Sequence, residues 1–555
     1  MKPLLNKYSF TLCSFFFIIS IVTKAQTPLN NSEKLATFCK FWGFLKYYHP
    51  AVADGSKDWD NIFIKKYYGI NDLQSKEALN EFYLSWLDEL GEVPVCKKCS
   101  PPGNDDITYN LDESWMKDDQ QFTVELQSKL QFILSNRYLG KRYYANLYPF
   151  TGNLKPSNEK AYNDSIYPSA PMRLLTLSRF WNIINYYYPY KNVITDNWAS
   201  LLTTMIPKFV DAQDTLNYHL AISELVANLH DSHSLFLSPY EVKHYYGNKV
   251  PPFKYKVIDE KAVVTSLYND SIGKKFDYQV GDAIIKIRGQ NIEDVIKDRC
   301  KYIGGSNRPA QLKTLTYVLL NDTTDQVKVT IERNGQQLEK MLPLYQTYAE
   351  MKPQPVKKEL YKLLDGNIGY INLGELEIKQ VNDIMKKLEH TKALIIDVRN
   401  YPKNTVYKVA NHLNSESKKF VKFTRPNNDY PGTFKPVPAI SVGRNNKNYY
   451  KGKVILLTDE MAQSHAEFTL MALKTAPNVT VVGSQTAGAD GNVSTITLPG
   501  NFKLYMTGVG VFYPDGTPTQ RVGIVPDIEI KPTINGIKAK KDEVLDKAIE
   551  IARQS

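Results

Sequence analysis

Ser464 is the residue of this chain whose surroundings most favour nucleophilic chemistry. It stands between the apolar run Val454–Thr458 and a helix-forming stretch that starts at His465. A side chain placed there is exposed at the end of a buried strand, beside the unpaired N–H groups of a helix's first turn. Those donors, with the backbone N–H of His465 first among them, would stabilise the oxyanion formed when a serine attacks a carbonyl. The simpler alternative is that Ser464 only caps the helix.

A serine hydroxyl needs a general base to attack at neutral pH, and histidine is the usual one. The chain has 8 His. His465 adjoins Ser464, but the side chains of adjacent residues at a helix start diverge. A better candidate is His233, in the polar cluster Leu229-His-Asp-Ser-His that follows a helical pattern. The alternative for His233 is a charge complement to the helix dipole.

The N-terminal half contains an internal duplication. Trp42 aligns with Trp181 and Trp59 with Trp198, at one constant offset without gaps. Both copies carry apolar residues at helical spacing that a proline ends, which predicts two related helical units, at residues 26–100 and 172–245. At the positions that match the Asp-Ser-His cluster, the first copy has Glu92-Val-Pro. The scaffold alone therefore does not demand the polar groups of the second copy.

The rest of the chain divides by its patterns into further segments. Residues 101–171 are rich in Asp, Asn, Pro and Tyr and predict an irregular connecting segment. Residues 249–347 alternate short β-branched runs with Gly and Asn turns, as small β domains do. Residues 355–535 alternate strands and helices, and residues 536–555 predict a C-terminal helix. The expected fold is a multidomain α+β protein.

Composition and charge bound the partners. Residues 1–25 have early lysines, an apolar run and the small-residue end of a signal peptide, so we expect an exported protein, periplasmic or secreted, with no membrane span after cleavage. An uncleaved anchor is the alternative. The net charge of +11 is scattered, which argues against a nucleic-acid partner.

The sequence offers little support for a cofactor. Cys96-Lys-Lys-Cys99 could form a local disulfide in an exported protein. A zinc site would need a second ligand pair, and a thioredoxin-like site would need a βαβ setting; neither accompanies this motif. We expect no metal ion and no organic cofactor.

The order of these parts resembles the C-terminal processing (tail-specific) serine proteases. Over about residues 220–535, the motifs that carry the resemblance are Asp397-Val-Arg-Asn, Ser464-His-Ala-Glu, Gly483-Ser-Gln-Thr-Ala-Gly and Gly523-Ile-Val-Pro-Asp. The stretch Phe276–Ile292 itself resembles part of a PDZ domain. The resemblance implies a PDZ-like domain at 249–347, of the kind that binds peptide ends at a sheet edge, and a crotonase/Clp-like core at 355–535.

Two catalytic designs occur in that family. One uses a Ser–Lys dyad, but no lysine follows Thr486 in this chain's turn. The other, similar to the tricorn protease core, uses a serine, a histidine, a serine beside it and a late glutamate. Ser464, His233 and Ser232 match the first three positions, and Gln520 stands at the fourth. The resemblance thus implies that Gln520 orients the relay through Ser232.

The second oxyanion donor also departs from the family. Lys403 and Asn404 stand where a glycine pair is usual, so the backbone N–H of Lys403 is the expected donor. We expect a serine endopeptidase that cleaves unfolded or C-terminal peptide segments by acyl transfer, with peptide or unfolded protein as partner. The alternatives are a catalytically weakened relative that binds peptides, which Gln520 and Lys403 favour, and a serine hydrolase of non-peptide esters or amides.

Overall fold

The computed structural model describes residues 30–194, 197–353 and 358–554. Over these residues the chain is a mixed α+β protein with several sheets, as the sequence predicts. The predicted signal peptide lies outside the described residues. Within those three ranges, no helix combines the length and the apolar character needed to cross a bilayer.

The first helical unit is built around a pair of tryptophans. Its helices are α1 (Asn31–Tyr48), α2 (Pro50–Ala53), α3 (Trp59–Asn71) and α4 (Lys76–Leu90). The side chains of Asn30, Asp58 and Ser75 cap the starts of α1, α3 and α4 by accepting backbone N–H groups. The indoles of Trp42 and Trp59 stack with centroids 6.4 Å apart. Each Nε1–H donates to the other residue's carbonyl oxygen, so both buried donors are satisfied.

The connecting segment has more regular structure than we expected for residues 101–171. It contains α5 (Val124–Ser135), β1 (Ala145–Leu147) and β2 (Leu154–Pro156). Leu126, Leu130 and Ile133 recur at helical spacing and are buried, which explains α5. Just before this segment, a disulfide joins Cys96 and Cys99, the first of the alternatives left open for that motif.

The second helical unit repeats the tryptophan pair. Its main helices are α6 (Ala170–Tyr187), α7 (Trp198–Val210) and α8 (Thr215–Ala227), and the short α9 (Pro239–Glu241) follows. Trp181 and Trp198 stack at 6.4 Å and exchange the same two N–H···O bonds.

Helices α1 and α6 pack against each other at matching positions of the two units. A Cβ added to Gly43 would lie 1.9 Å from Oδ1 of Asn182, its counterpart, so any larger residue would displace this buried side chain. The rings of Tyr47 and Tyr186, another matched pair, are 5.3 Å apart. Contacts between residues and their own counterparts are those of an approximate two-fold axis.

A small β domain follows. Its strands are β3 (Phe253–Ile258), β4 (Lys261–Leu267), β5 (Ala283–Ile287), β6 (Gln290–Asn291), β7 (Gln326–Arg333) and β8 (Gln336–Pro343), with helices α10 (Asp270–Phe276), α11 (Ile292–Arg299) and α12 (Arg308–Leu315). The strands form an antiparallel sheet in the order β3-β4-β5-β7-β8, with β6 paired to β5. The β-branched runs of the sequence form β4, β5 and β7.

The C-terminal part is an α/β core. Its strands are β9 (Tyr361–Leu364), β10 (Ile368–Asn372), β11 (Ala393–Asp397), β12 (Lys418–Pro426), β13 (Phe434–Val442), β14 (Lys453–Thr458), β15 (Val479–Gly483), β16 (Val493–Leu498), β17 (Phe502–Thr507), β18 (Gly510–Phe512) and β19 (Ile528–Glu529). Its helices are α13 (Val381–Leu388), α14 (Val406–Leu413), α15 (His465–Leu473), α16 (Ile534–Lys538) and α17 (Glu543–Gln554).

The main sheet of this core has the order β19-β15-β14-β11-β10-β9. All neighbours are parallel except β9, which runs antiparallel to β10. Buried parallel strands explain the nearly continuous apolar runs that the sequence shows here. The carboxyl ends of β11 and β14 lie side by side, and this is the edge where ligands of such sheets usually bind.

The helical units and the α/β core share one hydrophobic cluster. Ile496, Leu498, Leu504 and Met506 of the β16–β17 hairpin are fully buried in the same cluster as the two tryptophan pairs. The hairpin therefore fixes the end of α8 next to the α/β core.

Candidate active site

Ser464 occupies the turn between β14 and α15 with a φ of 56° and a ψ of −123°. This region is strained for a residue with a Cβ, and such strain is common where a side chain must be presented. The Ser464 N–H lies 2.8 Å from the Ala489 carbonyl oxygen and 3.1 Å from Oε2 of Glu467, which fix the turn.

Glu467 ties that turn to the loop after β15. Its fully buried carboxylate also accepts the N–H groups of Gly488 at 2.7 Å and Ala489 at 3.0 Å. Burial raises the pKa of Glu467, and these hydrogen bonds oppose the rise. The glutamate of the Ser-x-x-Glu motif is thus the anchor of the turn that presents Ser464.

His233 follows α8 and lies against the end of β17. Its Nδ1 is 2.8 Å from Oγ1 of Thr507 and 3.6 Å from Oδ1 of Asp231. The Thr507 hydroxyl donates its proton to Asp231 at 3.0 Å, so it can only accept from His233. The imidazole proton is therefore on Nδ1, and Nε2 carries the lone pair of a base.

Asp231 is fully buried beneath the imidazole. Its Oδ1 also accepts the backbone N–H of His233 at 3.0 Å, and its Oδ2 accepts that of Thr507 at 2.7 Å. Burial opposes ionisation, but the interactions with His233 and Thr507 outweigh it, and the pKa of Asp231 lies below its ordinary value. A charged carboxylate thus sits beside the imidazole at neutral pH.

Three hydrogen bonds bring the segments of Ser464 and His233 together. Gln463 Nε2 donates to the carbonyl oxygen of Ser232 at 3.1 Å, and Ser232 Oγ donates to that of Ala487 at 3.0 Å. The backbone N–H of Ser464 donates to the carbonyl oxygen of Ala489, in the same loop as Ala487. The segments that carry Ser464 and His233 are therefore in contact. Among the described residues, no direct hydrogen bond joins the two side chains.

In the part of the chain that the structure describes, neither Ser232 nor Gln520 has a hydrogen bond to the His233 imidazole that it was expected to orient. Ser232 and Ser306 exchange N–H···Oγ bonds of 2.8 Å each. Gln520, also fully buried, donates to Ser306 at 3.2 Å and to the Tyr188 hydroxyl at 3.1 Å. Gln520 therefore reaches Ser232 through Ser306, and the carboxylate beside His233 is Asp231.

The two expected oxyanion donors, the N–H groups of His465 and Lys403, lie on segments that are in contact through Tyr401. The N–H of His465 belongs to the first turn of α15, which leaves such donors without a helical partner. The ring of Tyr401 lies 6.1 Å from that of His465, so the segment carrying Lys403 runs beside the turn. The Lys403 side chain is exposed and pairs with Glu377 at 2.8 Å, so it is held at the surface.

The β domain contacts the turn that precedes Ser464. Lys313 Nζ donates to Oε1 of Gln463 at 3.0 Å, and Lys256 pairs with Glu460 at 2.8 Å. Burial and the charge of Glu460 raise the pKa of Asp459, next to it, to about 6. Both ends of this turn thus depend on the β domain.

No group of three or more His, Cys, Asp and Glu side chains in residues 30–194, 197–353 and 358–554 is arranged to hold a metal ion. The chemistry available at the site is that of a strained serine, an imidazole with a free Nε2, and a buried carboxylate.

Sequence reasoning missed four residues of this arrangement. Asp231 stands in the same motif as His233, two residues before it, and that spacing was the available signal. Glu467 was quoted only as part of a motif. Thr507 and Ser306 had no local signal, because their partners are 276 and 74 residues away along the chain.

Comparison with known proteins gives a family match for the C-terminal part of the chain. Residues 367–530 match the family model described as peptidase family S41. The chain is similar to a structure of mature CPAF complexed with lactacystin, with a TM-score of 0.54, 15% identity and coverage of 69% of this chain and 98% of that one. A second structure of mature CPAF gives 0.53, 15%, 69% and 97%. At these identities the likeness shows the fold.

Proposed function

We propose that the chain is a serine-type peptidase of the C-terminal processing group, in which residues 367–530 carry the match to peptidase family S41, Ser464 is the nucleophile and His233 is the general base. The observation that carries the assignment is the Asp231–Thr507–His233 chain of hydrogen bonds, which leaves Nε2 as the basic nitrogen. The proposed substrates are unfolded or C-terminal peptide segments.

The proposed reaction is acyl transfer. Ser464 Oγ attacks the scissile carbonyl carbon while its proton passes to Nε2 of His233. The negative charge that develops on the carbonyl oxygen is stabilised by the N–H groups of His465 and Lys403. His233 then gives its proton to the leaving amine, and a water activated by the same Nε2 hydrolyses the acyl-enzyme.

Asp231 and Thr507 have a positioning role in this proposal. The charged carboxylate stabilises the imidazolium that forms during attack, and the threonine hydroxyl carries its influence to Nδ1. Ser232 and Gln520 then act on the backbone rather than on the ring. Through Ser306 they fix the segment that presents His233, which explains how an amide serves where relatives use a carboxylate.

We also propose the finer architecture expected from the sequence. The matched tryptophan pairs and the contacts between counterpart residues support a duplicated helical unit. The six-stranded antiparallel sheet belongs to a domain that contacts the turn before Ser464, and it supports a PDZ-like domain that delivers peptide ends by strand addition. Export remains a proposal that rests on residues 1–25 and on the Cys96–Cys99 disulfide.

Labelling with a fluorophosphonate probe tests the nucleophile without knowledge of the substrate. We expect wild type to label and Ser464→Ala to remain unlabelled, with circular dichroism confirming that both are folded. Ser484→Ala, in the neighbouring loop, is the matched control and should label like wild type. Labelling of Ser464→Ala at the wild-type rate would refute the assignment.

Hydrolysis of casein, together with a peptide pair that differs only in a free or amidated C-terminus, tests the substrate class. Cleavage of casein with a preference for the free terminus is expected. If the chain is labelled by fluorophosphonate but cleaves only a small ester such as p-nitrophenyl acetate, the hydrolase of non-peptide esters would be the better description.

A further inference from the structure

A cavity of about 410 Å³ opens between the two helical units. None of the residues that line it is a predicted active-site residue. Its walls come from α1, from the connecting segment and from the junction of α6 and α7, and the residues on which the argument rests are Lys40, Asp112, Trp181, Asn185, Lys191 and Trp198. The duplication and the connecting segment together create this cavity.

Two lysines line the cavity, and neither forms an ion pair with a described residue. Lys191 Nζ donates to Oδ1 of Asn185 and to the carbonyl oxygen of Asn110, both at 2.8 Å, which leaves one of its three N–H groups free. Lys40 makes no hydrogen bond or ion pair within the described part of the chain. Asp112 bonds to Ser114 and lies beyond the 4.0 Å of an ion pair from either lysine.

Burial lowers the pKa of both lysines, that of Lys191 to about 8, with Asp112 opposing the shift. Residues Asn197–Ala199, which begin the 13-residue helix α7, line the same cavity. The positive end of that helix adds to the two cations. An anionic group would therefore be stabilised in this cavity.

In the proposed duplication, a second position is equivalent to this cavity, and there the space is filled by protein. Lys46 stands where the second unit has Asn185, and Arg179 stands where the first unit has Lys40. Between these two cations lies Glu159 of the connecting segment, with 2.6 Å to Lys46 and 2.9 Å to Arg179. The three side chains are almost completely buried.

More of the connecting segment occupies that place. Lys160 pairs with Asp58 at 2.8 Å, and the Tyr162 hydroxyl donates to Asp60 at 3.0 Å. Asp58 and Asp60 are the counterparts of Asn197 and Ala199 in the cavity wall. A peptide segment with a central carboxylate thus fills the first place, while the second remains open over 410 Å³.

We propose that the cavity binds a peptide that carries a carboxylate, held by Lys40 and Lys191 and covered by the aromatic walls, as Glu159 is held in the first unit. This inference rests on the proposed duplication and is independent of hydrolysis. The site would give the peptidase a second contact with peptides, separate from Ser464.

The test uses full-length Ser464→Ala protein, in which the proposed nucleophile is absent, and calorimetry with three heptapeptides based on residues 157–163. The first has an acetylated start, the internal glutamate and an amidated end. The second has glutamine instead of glutamate, and the third has glutamine with a free C-terminal carboxylate. We expect the first to bind at least about tenfold more tightly than the second, since charge-assisted hydrogen bonds are lost.

The third peptide distinguishes the source of the carboxylate. If it binds as tightly as the first, the carboxylate of a peptide end satisfies the site; if it binds as weakly as the second, the site requires an acidic side chain. Both results support the proposal, because in each case tight binding requires a carboxylate, either that of the glutamate or that of the free C-terminus.

Two variants assign the binding to the cavity. Lys40→Met and Lys191→Met should each weaken binding by about tenfold, whereas Lys129→Met, at a surface ion pair with Asp88, should leave it unchanged. Equal binding of all three peptides, binding that survives both lysine substitutions, or no binding at millimolar peptide would overturn the proposal. Fluorophosphonate labelling of wild type reports on Ser464 separately, so failure of either proposal leaves the other testable.

Discussion

The two helical units differ in the residues that follow their last main helices, α4 and α8. In the first, the chain leaves α4 at Gly91 and runs through Glu92-Val-Pro to the Cys96–Cys99 disulfide. In the second, it leaves α8 and turns through His230, with a φ of 49°, into Asp231-Ser-His. Three main helices correspond in the two units (α1 to α6, α3 to α7 and α4 to α8), and so does the tryptophan pair. In the proposed duplication, the scaffold positions a chain end in each unit; in the proposed mechanism, the residues placed at that end decide whether the unit takes part in chemistry.

The largest expected effect comes from alanine substitution of the proposed base, compared with the same substitution at the matched position of the first unit. His233→Ala should lower kcat/KM by about 10³-fold or more, nearly as far as Ser464→Ala, because members of one relay act as a unit. Pro94→Ala, the substitution at the matching position of the first unit, should leave hydrolysis unchanged. Casein or peptide hydrolysis at equal concentrations of folded protein is the measurement. Full activity in His233→Ala would show that the second unit holds no base.

Asp231→Asn should have the next largest effect. It keeps the side-chain shape but removes the charge that faces the imidazole, and we expect a loss of about 10² to 10⁴-fold in kcat. Glu92→Gln is the matched change in the first unit and should have no effect. Gln520→Ala should cost less than Asp231→Asn, because Gln520 contacts Ser306 and not His233. The reverse order would assign the relay to Gln520.

The tryptophan pairs test what the units share. Trp42→Phe and Trp181→Phe each remove one indole N–H···O bond and some buried ring area, so each should lower the free energy of unfolding by about 1–2 kcal/mol. Urea denaturation followed by circular dichroism measures both. Losses that differ by more than the cost of one hydrogen bond would contradict equivalent scaffolds.

Lys191 gives the smallest expected effect, and its sign depends on pH. Its counterpart in the first unit is Val52, which is completely buried. Since the folded pKa of Lys191 is lowered to about 8, the folded state binds this proton less tightly than the unfolded state does. Its ionisation therefore costs stability, and that cost grows as pH falls from the unfolded pKa of about 10.4 through 8.

Lys191→Val should accordingly raise the free energy of unfolding at pH 7 by about 1 kcal/mol, after allowance for partial exposure and for two lost hydrogen bonds. The gain should shrink as pH approaches 10. Thermal melts at pH 7 and pH 10 measure it, with exposed Lys208→Val on α7 as the control. A gain that is equal at both pH values would exclude burial of the charge as its cause.

Much of the fold could be predicted because its signals are local. The apolar runs at 393–397 and 453–458 match β11 and β14, and the helix was placed correctly after Ser464. Residues 101–171 were expected to be irregular because turn residues dominate the composition, although the spacing of Leu126, Leu130 and Ile133 was a readable helix signal. The closing strand after Gly523 is shorter than its motif suggested and includes only Ile528–Glu529.

The site was only partly predictable, because two of its links depend on distant pairing. Ser464 and His233 could be named from their own surroundings and from the resemblance. The hydroxyl of Thr507 reaches Asp231 across 276 residues, and no local pattern marks that pair. The resemblance directed attention to Gln520, whereas the buried charge belongs to Asp231.

The pairing of Asp231 and His233 with Thr507 also determines when, during synthesis of the chain, the candidate site can form. A ribosome makes the proposed base at residue 233 and the proposed nucleophile at residue 464 before it makes Thr507, whose hydroxyl contacts the imidazole. Until β17 has formed, Nδ1 of His233 lacks its 2.8 Å contact with the Thr507 hydroxyl. The hydrogen-bond chain that orients the proposed base is therefore complete only after residue 507 has been made, and we expect a chain that ends before β17 to have lower activity.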